Sequence, residues 1–161
     1  MKYLFWLLVV CCSFLWGVAA VEAEQYQLDK SVELVSQKVH LTLNPNVSHY
    51  SGTTTVDIKI AKASNAIQLY SKNLNLTKAL LTQAGSNKPF SLTVGSTNEY
   101  DIITLYSASS LVKGRYQLKL FFEGSYRQDG EGLYKFSEAG VNYLATQFQA
   151  MRARTVFPSF D

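Results

Sequence analysis

Alternation of apolar and polar residues with a period of two runs through most of this chain and leaves few folds open. Val39, Leu41 and Leu43 alternate with His40 and Thr42, and Val56, Ile58 and Ile60 alternate with Thr55, Asp57 and Lys59. Successive side chains of an extended strand point to opposite faces, so each run puts one row on a core and the other in water. The pattern recurs in Ile67 and Leu69, in Phe90, Leu92 and Val94, in Ile103 and Leu105, and at greatest length in Tyr116, Leu118, Leu120 and Phe122.

Turn chemistry separates the runs at Asn44-Pro45-Asn46, Gly85-Ser86-Asn87-Lys88-Pro89, Gly95-Ser96-Thr97-Asn98 and Lys113-Gly114. Proline presets its own backbone angle, asparagine bonds its own neighbours and glycine accepts a left-handed conformation. The stretch from Asn73 to Gln83 fits a strand about as well as a helix, and no other segment carries a helical stripe of useful length. Seven or more short strands with turns at this spacing predict an all-β chain, an antiparallel β-sandwich of two packed sheets. Residues from Glu24 to Val35 read as a loose leader to the first strand.

The start of the chain reads differently. Lys2, an apolar run from Tyr3 to Leu15 and small residues after it have the three parts of a secretory signal, with cleavage after Ala20 or Ala23. A membrane anchor is the competing reading, but the run falls short of the ~20 residues a spanning helix needs. The expected organisation is a signal peptide over 1–23 and one β domain over 24–161.

Both cysteines, Cys11 and Cys12, fall inside the signal, so disulfides hold nothing together in the processed chain. The formal charge of +3 contains no block of like charges, and nothing points to nucleic acid. Asn46-Val47-Ser48 and Asn75-Leu76-Thr77 are acceptor tripeptides that make Asn46 and Asn75 candidate glycosylation sites. His40 and His49 are the two histidines, and with no cysteine after residue 12 they do not assemble a tetrahedral zinc set. No metal site and no catalytic residue is expected on this chain.

Several ordered pieces resemble the amino-terminal domain of the aminopeptidase N and puromycin-sensitive aminopeptidase family, the gluzincin zinc aminopeptidases. Val39-His40-Leu41-Thr42-Leu43-Asn44-Pro45 and Tyr50-Ser51-Gly52-Thr53 resemble its opening strand and turn. Ile67 to Leu74 resembles its next strand, and Gly114 to Leu120 a later one. Gly132-Leu133-Tyr134, Tyr143-Leu144-Ala145-Thr146-Gln147-Phe148, Ala153-Arg154 and Phe157-Pro158-Ser159-Phe160-Asp161 follow its signature block in order.

The resemblance implies a saddle-like β domain that helps anchor the α-amine of a peptide in a family that removes amino-terminal residues with zinc. The glutamine of its Thr-Gln-aromatic step is Gln147 here. By strand alternation Gln149 joins Gln147 on one side, as a second candidate substrate-binding residue. Gln149 stands where the family usually carries glutamate, so a neutral amide replaces a carboxylate that would balance the incoming ammonium.

Arg154 reads as a structural clamp, Arg152 as solvated, and Phe157, Pro158 and Phe160 as a wedge against a following domain. Zinc belongs to the full-length family; its two-histidine helix and Gly-Ala-Met-Glu-Asn stretch are missing here, so the chain is expected to be inactive alone. Its implied partners are a peptide amino terminus or a catalytic domain on a missing continuation. The alternative is a secreted, non-catalytic peptide- or protein-binding β-sandwich, and a sugar-binding sandwich using some of the ten tyrosines is a third reading. The expected location is extracellular, or the cell surface if a longer form is membrane-anchored.

Overall fold

A computed structural model describes residues 27–160; the expected signal peptide and Asp161 lie outside the described residues. Nine strands follow one another: β1 (Val32–Thr42), β2 (His49–Ile60), β3 (Ser64–Tyr70), β4 (Asn75–Gln83), β5 (Phe90–Thr97), β6 (Ile102–Leu111), β7 (Gly114–Ser125), β8 (Gly132–Glu138) and β9 (Val141–Gln147). A short 3₁₀ turn, Ala153–Thr155, comes after them. The first seven form one sheet in the order β1-β2-β7-β4-β5-β6-β3, and β8 and β9 form a separate hairpin. All neighbours are antiparallel.

The all-β, sandwich-like expectation holds, and the sheet makes its two layers by curling. Strand β5 is the corner: Phe90, Ser91 and Leu92 pair with β4, while Thr93, Val94 and Thr97 pair with β6. The register shifts between Val94 and Thr97. Bulges bend and twist a strand, which turns β6 and β3 back over β2, β7 and β4. A Cβ on Gly95 would come within 2.8 Å of the Thr104 carbonyl oxygen, so glycine at this point serves close backbone approach. The predicted turn at Gly95 to Asn98 is therefore displaced. The chain reverses at Asn98–Asp101, where Asn98 Oδ1 accepts from the amides of Tyr100 and Ile102.

The alternating rows of β2, β7 and β3 fill the concave face. Val56, Ile58 and Ile60 of β2, Leu118, Leu120 and Phe122 of β7, and Ile67 and Leu69 of β3 are all buried. The ambiguous stretch after Asn73 is strand β4, with Leu76, Ala79 and Leu81 inward and a bulge between Leu76 and Lys78. Strand β1 starts earlier than expected: Val32, Glu33 and Leu34, at the end of the supposed leader, pair with β2. It is an edge strand with incomplete cover: Leu34 and Val39 remain 45% and 38% exposed.

The segment after the 3₁₀ turn spans the gap between the two sheet edges. On the β1 side Gln37 Nε2 donates to the Pro158 carbonyl at 2.7 Å and to Thr54 Oγ1 at 3.0 Å. On the β3 side Tyr70 and Ser159 exchange backbone hydrogen bonds at 2.8 and 2.9 Å. Beneath, the Tyr50 hydroxyl donates to the Val156 carbonyl at 2.9 Å, and Val156 is wholly buried. Phe157 and Phe160 pack against this domain's own core and Pro158 is buried, which corrects their reading as a wedge against a neighbour.

Burial, with the nearby Tyr126 phenol, pushes the Tyr50 hydroxyl well above the usual tyrosine range. Tyr50→Phe removes a buried donor and is expected to cost about 1 kcal/mol at neutral pH, read as a lower urea midpoint at unchanged slope. An acid whose folded pKa is raised loses stability as pH climbs above its unfolded value of about 10. The wild-type advantage over Tyr50→Phe is therefore expected to shrink above about pH 10; an advantage constant to pH 11 would contradict it.

Candidate functional site

The hairpin β8–β9 carries Gln147, and its root is fixed by three local devices. Leu133 is buried and Leu144 packs on the core from the same face of the hairpin. Backbone bonds from Arg127 N–H to the Leu133 carbonyl (3.0 Å) and from Lys135 N–H to the Arg127 carbonyl (2.9 Å) splice β8 onto the chain leaving β7. Gly132, opposite Gln147, has a φ of 65°, and a Cβ there would lie 2.5 Å from Thr155 Oγ1. Only glycine lets the 3₁₀ turn pack against the strand end that holds Gln147.

Strand β9 stops at Gln147, so the alternation that put Gln149 on the same side does not extend to it. The two residues are nevertheless joined: Gln149 N–H donates to Gln147 Oε1 at 2.9 Å. Both side chains are exposed. One lone pair of the Gln147 oxygen is used by this bond and one is left for another donor. The Gln149–Ala150 peptide bond is cis.

Gln149 lies on the rim of a cleft of about 400 Å³ whose charged lining is Lys72, Asp101, Glu131, Arg152 and Arg154. Lys72 pairs with Asp101 at 3.0 Å and Arg152 with Glu131 at 2.6 Å. Arg152, read as solvated, thus ties the Gln149 turn to the loop before β8. Arg127 reaches Glu131 at 3.8 Å and binds Asp129, whose carboxyl that hydrogen bond holds below the ordinary range. Arg154 is structural: its guanidinium lies 3.7 Å from the centre of the Tyr70 ring, and its carbonyl accepts from Lys72 N–H at 2.8 Å.

Asp101 and Glu131 are the site residues that sequence reasoning missed. Both come from loops remote in sequence from Gln149, and no local spacing signals their convergence. Among the described residues no three His, Cys, Asp or Glu side chains are grouped to hold a metal ion, and His40 and His49 face Thr53 and Ser125 in the ladders. Residues 27–160 therefore do not fit the zinc that the resemblance implies. No described helix is long and apolar enough to cross a membrane.

Residues 23–161 match the family model for the peptidase M1 N-terminal domain. The chain belongs to that family. Its sequence is 29% identical over 155 residues to rat (Rattus norvegicus) aminopeptidase N, an alignment covering 85% of this chain and 16% of the relative. It is also 28% identical over 149 residues to the puromycin-sensitive aminopeptidase of Caenorhabditis elegans, covering 89% of this chain and 15% of that protein. Membrane alanyl aminopeptidase of Heliothis virescens is 27% identical over 157 residues, with 88% and 15% covered. This M1 N-terminal domain thus spans about one-sixth of the length of the relatives it matches.

Partly exposed ion pairs contribute little to global stability, typically under about 1 kcal/mol. Arg152→Ala in the M1 domain is expected to leave the unfolding midpoint nearly unchanged while shifting the amide resonances of Gln149 and Ala150. Unmoved resonances at those two positions would show that Arg152 does not hold the turn.

Proposed function

We propose that this chain is the amine-anchoring part of a zinc aminopeptidase and that it does not cleave peptides by itself. Gln147 and Gln149 receive the free amino terminus of a peptide. The observation that carries the reading is their junction at the end of β9, both exposed, with one Gln147 lone pair still open. A protonated amine has three N–H donors and is held best by several converging oxygens. The Gln147 and Gln149 amide oxygens supply neutral acceptors, and Asp101 and Glu131 line the adjoining cleft as carboxylates already engaged by cations. This chain orients the amine; no hydrolytic step is assigned to its residues.

The same reading places the protein in the secretory pathway, free or at a cell surface, with glycans on Asn46 and Asn75. Both asparagines are exposed, Asn46 in the β1–β2 turn and Asn75 at the start of β4. Asn46 uses its Oδ1 to accept from Asn142, which leaves its amide nitrogen for a glycan. In a secretory host, enzymatic deglycosylation is expected to raise the gel mobility of the wild type in two steps. Asn46→Gln and Asn75→Gln should each abolish one; a wild type that does not shift would remove this part of the reading.

The anchoring role is tested by titrating the full chain with a short peptide and with its N-acetylated twin, followed by NMR. Only the free-amine peptide is expected to perturb Gln147 and Gln149. Gln149→Glu, which restores a charge-assisted acceptor worth ~1–2 kcal/mol, should tighten it about tenfold, and Gln147→Ala should weaken it by a similar factor. Equal binding of both peptides, indifferent to both substitutions, would sink the role.

A further inference from the structure

Asn75 stands on the outer face of the curled sheet, at the end of a row of side chains that crosses four strands. Thr42, Ser51, Glu123 and Asn75 are successive cross-strand partners on β1, β2, β7 and β4, and His40, Thr53, Phe121 and Lys78 form the next row along. Cross-strand partners share a face, and Gly52 and Phe122, between the rows, are buried on the other side. The bulge between Leu76 and Lys78 sets Thr77, the hydroxyl residue of the acceptor tripeptide, between the two rows. Its Oγ1 donates to the Phe121 carbonyl at 3.3 Å.

A hollow of about 200 Å³ lies between these rows, with Thr77 on its β4 side, His40 and Thr42 on its β1 side, and Phe121 and Glu123 along β7. The hydroxyls of Thr42, Ser51 and Thr53 and the His40 imidazole have no hydrogen-bond partner among the described residues. Lys78 and Lys119 bring ammonium groups to 5.9 and 5.3 Å from the centre of the Phe121 ring, and neither lysine lines the hollow. A half-buried aromatic ring beside open hydroxyls suits a pyranose. Such a sugar has a C–H face for the ring and a rim of hydroxyls for the polar groups.

We propose that this hollow is a carbohydrate subsite filled in cis, by the first N-acetylglucosamine of a glycan on Asn75. It rests on the glycosylation reading given above, and adds where the sugar lies and what holds it. Asn75 Nδ2 donates to Glu123 Oε2 at a long 3.5 Å, which lays the side chain along its row toward β7. A glycan takes one of the two hydrogens on that nitrogen and leaves the other for Glu123. Diagonal neighbours on adjacent strands lie about 7–8 Å apart, so a ring joined to Asn75 reaches Phe121. The covalent link also fixes the occupant. Tethering gives a local concentration in the millimolar range, enough to fill a shallow subsite that would hold a free sugar poorly. A second hollow of about 210 Å³ lies on the far side of Glu123, lined by His49, Asn73 and Asn75, but no Phe, Tyr or Trp lines it.

The test uses the full chain made in a secretory host with Asn46→Gln, so that Asn75 is the one remaining acceptor. An endoglycosidase trims its glycan to a single N-acetylglucosamine. Nuclear Overhauser contacts are expected between that sugar and the Phe121 ring, with amide shifts at Thr53 and Thr77 relative to the Asn46→Gln/Asn75→Gln chain. The single sugar is expected to raise the thermal midpoint by about 2–4 °C over the same reference. Phe121→Thr should remove that difference, its own unglycosylated form serving as the control for folding.

A sugar without contact to Phe121, contacts at His49 in their place, or a midpoint difference that survives Phe121→Thr would overturn the subsite. If Phe121→Thr does not fold, the contacts in the unsubstituted chain decide. Binding of free chitobiose by the Asn75→Gln chain at micromolar concentration would also overturn it, marking a site for a sugar in trans. The two readings separate cleanly. An Asn75 that takes no glycan, seen as unchanged gel mobility on deglycosylation, removes both. A glycosylated Asn75 whose sugar ignores Phe121 leaves glycosylation standing and the subsite lost.

Discussion

A curled sheet with two free edges has to be held shut, and here one strap of chain touches both. Gln37 on β1 and Tyr70 on β3 bind Pro158 and Ser159, neighbours in sequence, while Tyr50 holds Val156 from below. Each buried hydrogen bond adds only about 1 kcal/mol, yet breaking one leaves a buried donor or acceptor unmade at greater cost. The strap also seals a core whose β1 margin is poorly covered. Closure of the sheet and burial of the last segment are thus one event.

The strap follows directly from the 3₁₀ turn, which follows from the turn holding Gln149. The Arg154 carbonyl bound to Lys72, its guanidinium on Tyr70, and Thr155 seated on Gly132 therefore set where the chain leaves β9. A two-stranded hairpin is marginal by itself in water, so β8–β9 depends on these contacts and on Leu133 and Leu144. The bonds that close the curled sheet in this way also fix the turn in which Gln149 N–H meets Gln147 Oε1.

Much of this was legible in the sequence because one period governs it. The β2 and β7 rows were read correctly, since both strands lie in the middle of the sheet and strict alternation survives there. Reading failed where tertiary approach decides the role of a residue. Gly95 looks like a turn but serves a bulge, and Phe157 and Pro158 look like an exported wedge but face inward. Gln149 lies two residues beyond the strand, where alternation no longer applies. Asp101 and Glu131 reach its cleft from separate loops, a convergence that only the folded topology creates.

Charge in that cleft bears on how the amine could be balanced. Three cationic side chains, Lys72, Arg152 and Arg154, face two carboxylates, and the strongest pairings already join them. A carboxylate has several lone-pair sites, but both carboxylates are already held by cations, Asp101 by Lys72 and Glu131 by Arg152 and Arg127. The neutral oxygens of Gln147 and Gln149 therefore suit orientation better than charge balance. A full countercharge is not something two amides can supply, so Gln147 and Gln149 are suited to direct a hydrogen-bond donor and not to neutralise a cation.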